Sequence, residues 1–133
     1  MKIKEQVLSI EQMKHLQELG VDTSDASLAW YMSPNANQWK IKIKDKFAHE
    51  MLRRISPERY IPTYTTGDLI EKLPKNIGKK TFTISYLSAP SVGYSLSKHV
   101  MIPSQQNGLV DALYSILCWV AENHKELLEV RND

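Results

Sequence analysis

Ile10, Met13, Leu16 and Leu19 recur at three-residue steps, which lays a narrow apolar stripe on one face of a helix. Ser9 precedes the stripe and Gln12 follows three residues later, the spacing of a capping box. Gly20 then fits the left-handed position that ends a helix, and Val21 can fold back on it. Leu28, Trp30 and Tyr31 within residues 26–32 predict a short strand, and Ser33-Pro34-Asn35-Ala36-Asn37 reads as a turn. From Gln38 to Lys44, apolar residues and lysines alternate strictly. That period of two predicts a half-buried strand with lysines on its outer face, and with the preceding strand a β-hairpin.

Residues 45–59 are ambiguous by pattern. Phe47, Met51, Leu52 and Ile55 have helical spacing, and Pro57 ends any such helix. Ile61-Pro62-Thr63-Tyr64 is expected to be extended because of its proline. Thr65 and Asp68 form a second capping box ahead of Leu69, Ile70 and Leu73, a short helix stopped by Pro74. Alternation returns over residues 80–87 with Phe82, Ile84 and Tyr86 on one side. Ala89-Pro90-Ser91 reads as a turn, and residues 92–100 as the returning strand. Residues 104–107 read as a loop. Asn107 is the expected cap of a last helix, with Asp111 near its positive end. Leu109, Val110, Leu113, Ile116, Leu117, Val120 and Ala121 give that helix a broad apolar face, widened by Tyr114 and Trp119. It is the expected core helix.

Strands joined by tight turns pair antiparallel, and helices set apart on such a sheet define the α+β class. The expected fold is a small antiparallel sheet from two β-hairpins, packed by N-terminal, middle and C-terminal helices. Residues 1–133 form a single α+β domain. Composition fits: the chain is 42% apolar and 24% charged, near globular averages. At 133 residues a chain buries roughly two-thirds of its unfolded surface, enough for a core without staples. One cysteine, Cys118, excludes an intrachain disulfide. No signal-peptide pattern opens the chain, and residues 109–121 are too short to span a bilayer. The expected setting is therefore cytoplasmic, with no membrane partner.

The segments Leu8-Ser9-Ile10-Glu11-Gln12-Met13, Pro62-Thr63-Tyr64-Thr65 through Leu73-Pro74, and Asp111-Ala112-Leu113 through Cys118-Trp119 resemble a group of uncharacterised small proteins of gut Bacteroidetes and their prophages and mobile elements. The shared pattern is one of caps and packing positions, over about half of the chain. The resemblance implies no activity and no functional residues. It implies a mobile-element setting, where small accessory proteins bind nucleic acids or other proteins.

Known chemistries find little support. His15, His49, His99 and His124 are scattered. His49-Glu50-Met51-Leu52-Arg53 begins like a zinc-protease helix, but Arg53 stands where the second histidine must be. None of the five glycines forms a phosphate loop, and no serine sits in a nucleophile elbow. Cys118, between Leu117 and Trp119, reads as a buried core cysteine. No catalytic residue, metal ligand or cofactor is expected. Trp30, Tyr31, Trp39, Tyr60, Tyr64, Tyr86 and Tyr94 can line a groove, but in a small sheet such residues more often pack.

Charge is more informative in its distribution than in its net value of +2. Residues 1–30 carry −2, residues 39–59 carry +4, and residues 111–133 carry −3. The sharpest feature is the basic stripe Lys40, Lys42, Lys44 and Lys46, with Arg53 and Arg54 and also Arg59 nearby. In a strand, alternate lysines project on one face about 7 Å apart. That spacing suits phosphates, and it equally suits lysines that guard an edge strand from aggregation, the reading we favour. The leading expectation is a non-enzymatic binding or accessory module acting through protein–protein contacts or self-association. Nucleic-acid binding through residues 39–59 is the alternative. An enzyme without a recognisable short motif is the third reading.

Overall fold

The computed structural model describes residues 6–33, 35, 37–43, 50–51, 54, 57–86, 90–95, 104–105 and 108–128. Within them the chain is α+β, with antiparallel pairing throughout. The first helix, α1, spans Ile10–Glu18. Both halves of its capping box are made: Ser9 Oγ accepts the Gln12 amide at 3.1 Å, and Gln12 Oε1 accepts the Ser9 amide at 2.9 Å. Gly20 takes φ 86°. Its amide reaches the Gln17 carbonyl and that of Val21 reaches Leu16, each at 3.0 Å, which is the paired-bond closure of a Schellman motif.

Strands β1 (Leu28–Met32) and β2 (Trp39–Ile43) form the expected hairpin, with Trp30 opposite Ile41. A short 3₁₀ turn, Pro57–Arg59, leads into β3 (Tyr60–Thr63), which pairs with the other side of β1. The sheet order is β2-β1-β3. Pro62 has no amide to donate, and it sits where a proline is tolerated, on the strand that borders this sheet among the described residues. Of the ambiguous segment, Glu50, Met51 and Arg54 are helical. Phe47, Leu52 and Ile55 lie outside the described residues.

Helix α2 (Thr66–Lys72) starts at the predicted Thr65–Asp68 capping box and stops where Leu73 turns extended before Pro74. Strand β4 (Asn76–Ile77) follows, then β5 (Lys80–Tyr86), β6 (Pro90–Ser95) and β7 (Ser104–Gln105), in a second sheet of order β4-β5-β6-β7. The two hairpins thus belong to separate sheets rather than to one. Each gains partners that hydrophobic pattern does not announce: β3 beside β1, and the two-residue strands β4 and β7 beside the second hairpin. Pro90 and Ser91, expected in the turn, are already paired in β6, and Ser104–Gln105 is a strand rather than loop.

Helix α3 (Leu109–Asn123) buries Ala112, Leu113, Ile116, Leu117, Val120 and Ala121, as its apolar face predicts. Its cap differs from expectation. The helix begins one residue too late for Asn107, which lies outside the described residues. Gly108 is the cap, with no side-chain hydrogen bond. A 3₁₀ turn, Lys125–Leu128, follows and buries Leu128. α3 touches α1, α2, β6 and β7, so one apolar core runs from Val7 to Leu128 and draws on both sheets. Cys118 is half-buried rather than buried. It lies one turn from half-buried Tyr114, on the flank of the apolar face. Burial raises its thiol pKa, Glu122 adds to this, and a hydrogen bond with Tyr114 opposes it.

Two polar constructions tie these layers together. The Leu8 carbonyl accepts the Trp30 indole N–H at 2.9 Å and the Thr63 hydroxyl at 2.7 Å, both in the core. This pins the N-terminal segment to β1 and β3. The second joins the loop after α1 to α2. The Tyr64 hydroxyl donates to Asp25 Oδ1 at 2.6 Å, with the Asp22 carbonyl at 3.0 Å. Lys72 Nζ donates to Asp25 Oδ2 at 2.9 Å and to the Asp22 carbonyl at 3.0 Å. Burial, then the bond to Asp25 and the nearby carboxylates, push the Tyr64 phenol far above its ordinary value.

Candidate functional site

The first sheet has an unequal pair of edges. On the β3 side, Val7 bridges to Thr65 and the Leu8 amide donates to the Tyr64 carbonyl at 3.1 Å. On the other side, no strand pairs with the outer edge of β2 among the described residues. The Trp39-Lys40-Ile41-Lys42-Ile43 alternation dictates what that edge presents. Trp39, Ile41 and Ile43 stand opposite Met32, Trp30 and Leu28, while Lys40 and Lys42 stand opposite Tyr31 and Ala29. Trp39 and Ile41 are half-buried against the core, but Ile43, at the end of the strand, is 84% exposed.

Lys40 and Lys42 are both exposed, as the basic stripe requires. They share one face at about 7 Å along the strand. The Lys42 ammonium sits 4.8 Å from the centre of the Tyr31 ring, a cation–π contact between diagonal neighbours. Arg54 is exposed. Lys44, Lys46 and Arg53 lie outside the described residues. Arg59 precedes β3, and its Nη1 is buried without a hydrogen-bond partner among the described residues. The described part of the stripe is therefore two lysines on an edge strand.

The aromatics expected as packing groups do pack. Trp30, Tyr60, Tyr64 and Tyr94 are buried, and Tyr31 and Trp39 are half-buried; the Tyr86 side chain lies outside the described residues. Among the described residues, Trp119 and His124 line a groove. Ile77, Gly78, Lys80, Trp119, His124, Glu126 and Leu127 surround an open space of about 470 Å³. The Trp119 ring lies 6.4 Å from that of Tyr94 and 5.3 Å from that of His124. His124 Nδ1 is 3.9 Å from Glu126 Oε1. Gly78, with φ 61°, makes the tight β4–β5 turn that carries Lys80 to its rim. The helical pattern predicts Trp119 only as a widening of the apolar face, and nothing in the sequence around His124 marks it for this place. Helix α3 and the β4–β5 turn, which come together here, are distant in the chain.

Among the described residues no three His, Cys, Asp or Glu side chains gather to hold a metal ion. His15 packs edge-on to Tyr114 at 6.4 Å; His49 and His99 lie outside the described residues. No described helix is long and apolar enough to cross a membrane. Comparison with known proteins finds no matching family model, no matching curated protein and no matching solved structure.

Proposed function

We propose that this chain is a non-enzymatic binding module that recruits a protein partner along the open edge of its three-stranded sheet. The observation that carries the reading is the outer edge of β2, unpaired among the described residues, with Ile43 84% exposed at its end. A strand edge presents a row of amides and carbonyls in register, and an extended peptide completes them by adding a strand. Main-chain bonds then supply affinity, and alternate side chains supply selectivity.

Charge tells against self-pairing. Two copies of β2 paired antiparallel about Ile41 set Lys40 of each against Lys42 of the other, given the alternation of the strand. Like charges directly opposite destabilise a pair. A nucleic-acid reading draws on the same two lysines. Two phosphate contacts give a salt slope of only about −2, and that reading leaves Ile43 without a role. The setting we propose is the cytoplasm, as an accessory protein of a mobile element.

The test is a proline at position 41. Ile41→Pro removes one amide from β2 and disfavours strand geometry, whereas Ile41→Val keeps both. Partners captured by the wild-type protein are expected to be retained by Ile41→Val and lost with Ile41→Pro, while circular dichroism confirms that both remain folded. Equal retention by a folded Ile41→Pro protein refutes docking through this edge.

A further inference from the structure

We infer that the occupant of the β2 edge is an extended segment in which acidic and apolar residues alternate; this rests on the edge-docking reading above. The edge offers two different faces to an added strand. On one, Lys40 and Lys42 project as exposed ammoniums two residues apart. On the other, Ile41 is half-buried and Ile43 is 84% exposed. An added strand has the same two-residue period. It therefore sets its own alternate residues against the two lysines and the ones between against Ile41 and Ile43. Carboxylates on the first set oppose the lysines, and β-branched side chains on the second cover the isoleucines.

The lysines thus have one electrostatic consequence with two effects. They repel a second copy of β2, and they select an acidic strand. Lys42 is held over the Tyr31 ring, 4.8 Å from its centre, so it presents its charge from a restrained position. That lowers the side-chain entropy still to be lost on pairing. Ile43 adds what a polyanion does not use, an apolar surface beside the charges.

The experiment uses the full chain and three labelled hexapeptides, of alternating glutamate and valine, threonine and valine, or lysine and valine. Binding is read by fluorescence anisotropy, and the site by hydrogen exchange of the residue 39–43 amides. The glutamate–valine peptide is expected to bind at least ten times more tightly than the threonine–valine peptide and to protect those amides. Its affinity falls as salt is raised. Lys40→Glu combined with Lys42→Glu is expected to lose that peptide by tenfold or more and to gain the lysine–valine peptide. Gain of the swapped peptide also shows that the variant is folded.

Equal binding of the glutamate and threonine peptides, with the same amides protected, overturns the acidic preference and leaves the edge reading standing. Failure of every peptide to protect the β2 amides overturns both. A dimer whose β2 amides are protected without peptide assigns the edge to a second copy and overturns the inference. So does lysine-dependent binding of oligothymidylate with no glutamate–valine binding.

Discussion

Removing Asp25 should cost this protein more than removing the lysine it binds. The asymmetry comes from burial. The Lys72 side chain is 5% exposed and that of Asp25 is 40% exposed, at a separation of 2.9 Å. Asp25→Ala leaves the Lys72 ammonium enclosed with the Asp22 carbonyl, and it takes the closest acceptor from the buried Tyr64 hydroxyl. Stranding a buried charge costs about 3–5 kcal/mol. Lys72→Met is milder. The methionine keeps the apolar stem, and the Asp25 carboxylate retains the Tyr64 hydroxyl and water. Loss of one partly exposed ion pair costs about 1 kcal/mol or less. The double variant is expected to recover part of the loss of Asp25→Ala, since no ammonium then remains to be stranded. Equilibrium urea unfolding measures all three, with a constant m-value required for the comparison. The reasoning is refuted if Lys72→Met costs as much as Asp25→Ala, or if the double variant is no more stable than Asp25→Ala alone.

Three further outcomes follow from contacts of the core and the first helix. The Tyr64 phenol resists ionisation in the fold but titrates near 10 when unfolded; its contribution is full below pH 10 and is lost as pH rises beyond it. Urea midpoints measured from pH 8 to 11.5 should fall more steeply for wild type than for Tyr64→Phe, and parallel curves would contradict this. Trp30→Phe removes the indole donor to the Leu8 carbonyl while Thr63 keeps its own bond to it. The expected loss is about 1–2 kcal/mol, and an added Thr63→Val should lower stability further in the same urea titration. Gly20→Ala forces a Cβ into the left-handed region at φ 86° and against the flexible end of Lys125. A loss of about 1–2 kcal/mol is expected. Lys125→Ala should not relieve it, because the strain is in the backbone rather than the neighbour; thermal melts of the single and double variants check this.

The elements that local chemistry controls were legible in the chain. Ser9–Gln12 and Thr65–Asp68 cap helices because a side-chain oxygen and an amide three residues on are neighbours whatever the rest of the protein does. Gly20 closes α1 for the same kind of reason. The alternation of Trp39 to Ile43 put lysines on one face of a strand without knowledge of its partners. Other features needed distant partners and were not legible. Asp25, in the loop after α1, and Lys72, on α2, lie 47 residues apart and meet at 2.9 Å only in the fold. The groove of Lys80, Trp119 and His124 exists only because α3 packs beside the second sheet.

The candidate site divides along the same line. Sequence alone determined which residues of β2 are charged and which are apolar, since side chains in a strand must alternate between its two faces. It could not say whether β2 lay inside its sheet or at the border, because that depends on which strand takes the other side of β1. Tertiary structure assigned that place to Tyr60–Thr63. Among the described strands, β2 then lies at the sheet's border. Periodicity is a property of one segment, whereas an open edge depends on how every other segment is placed.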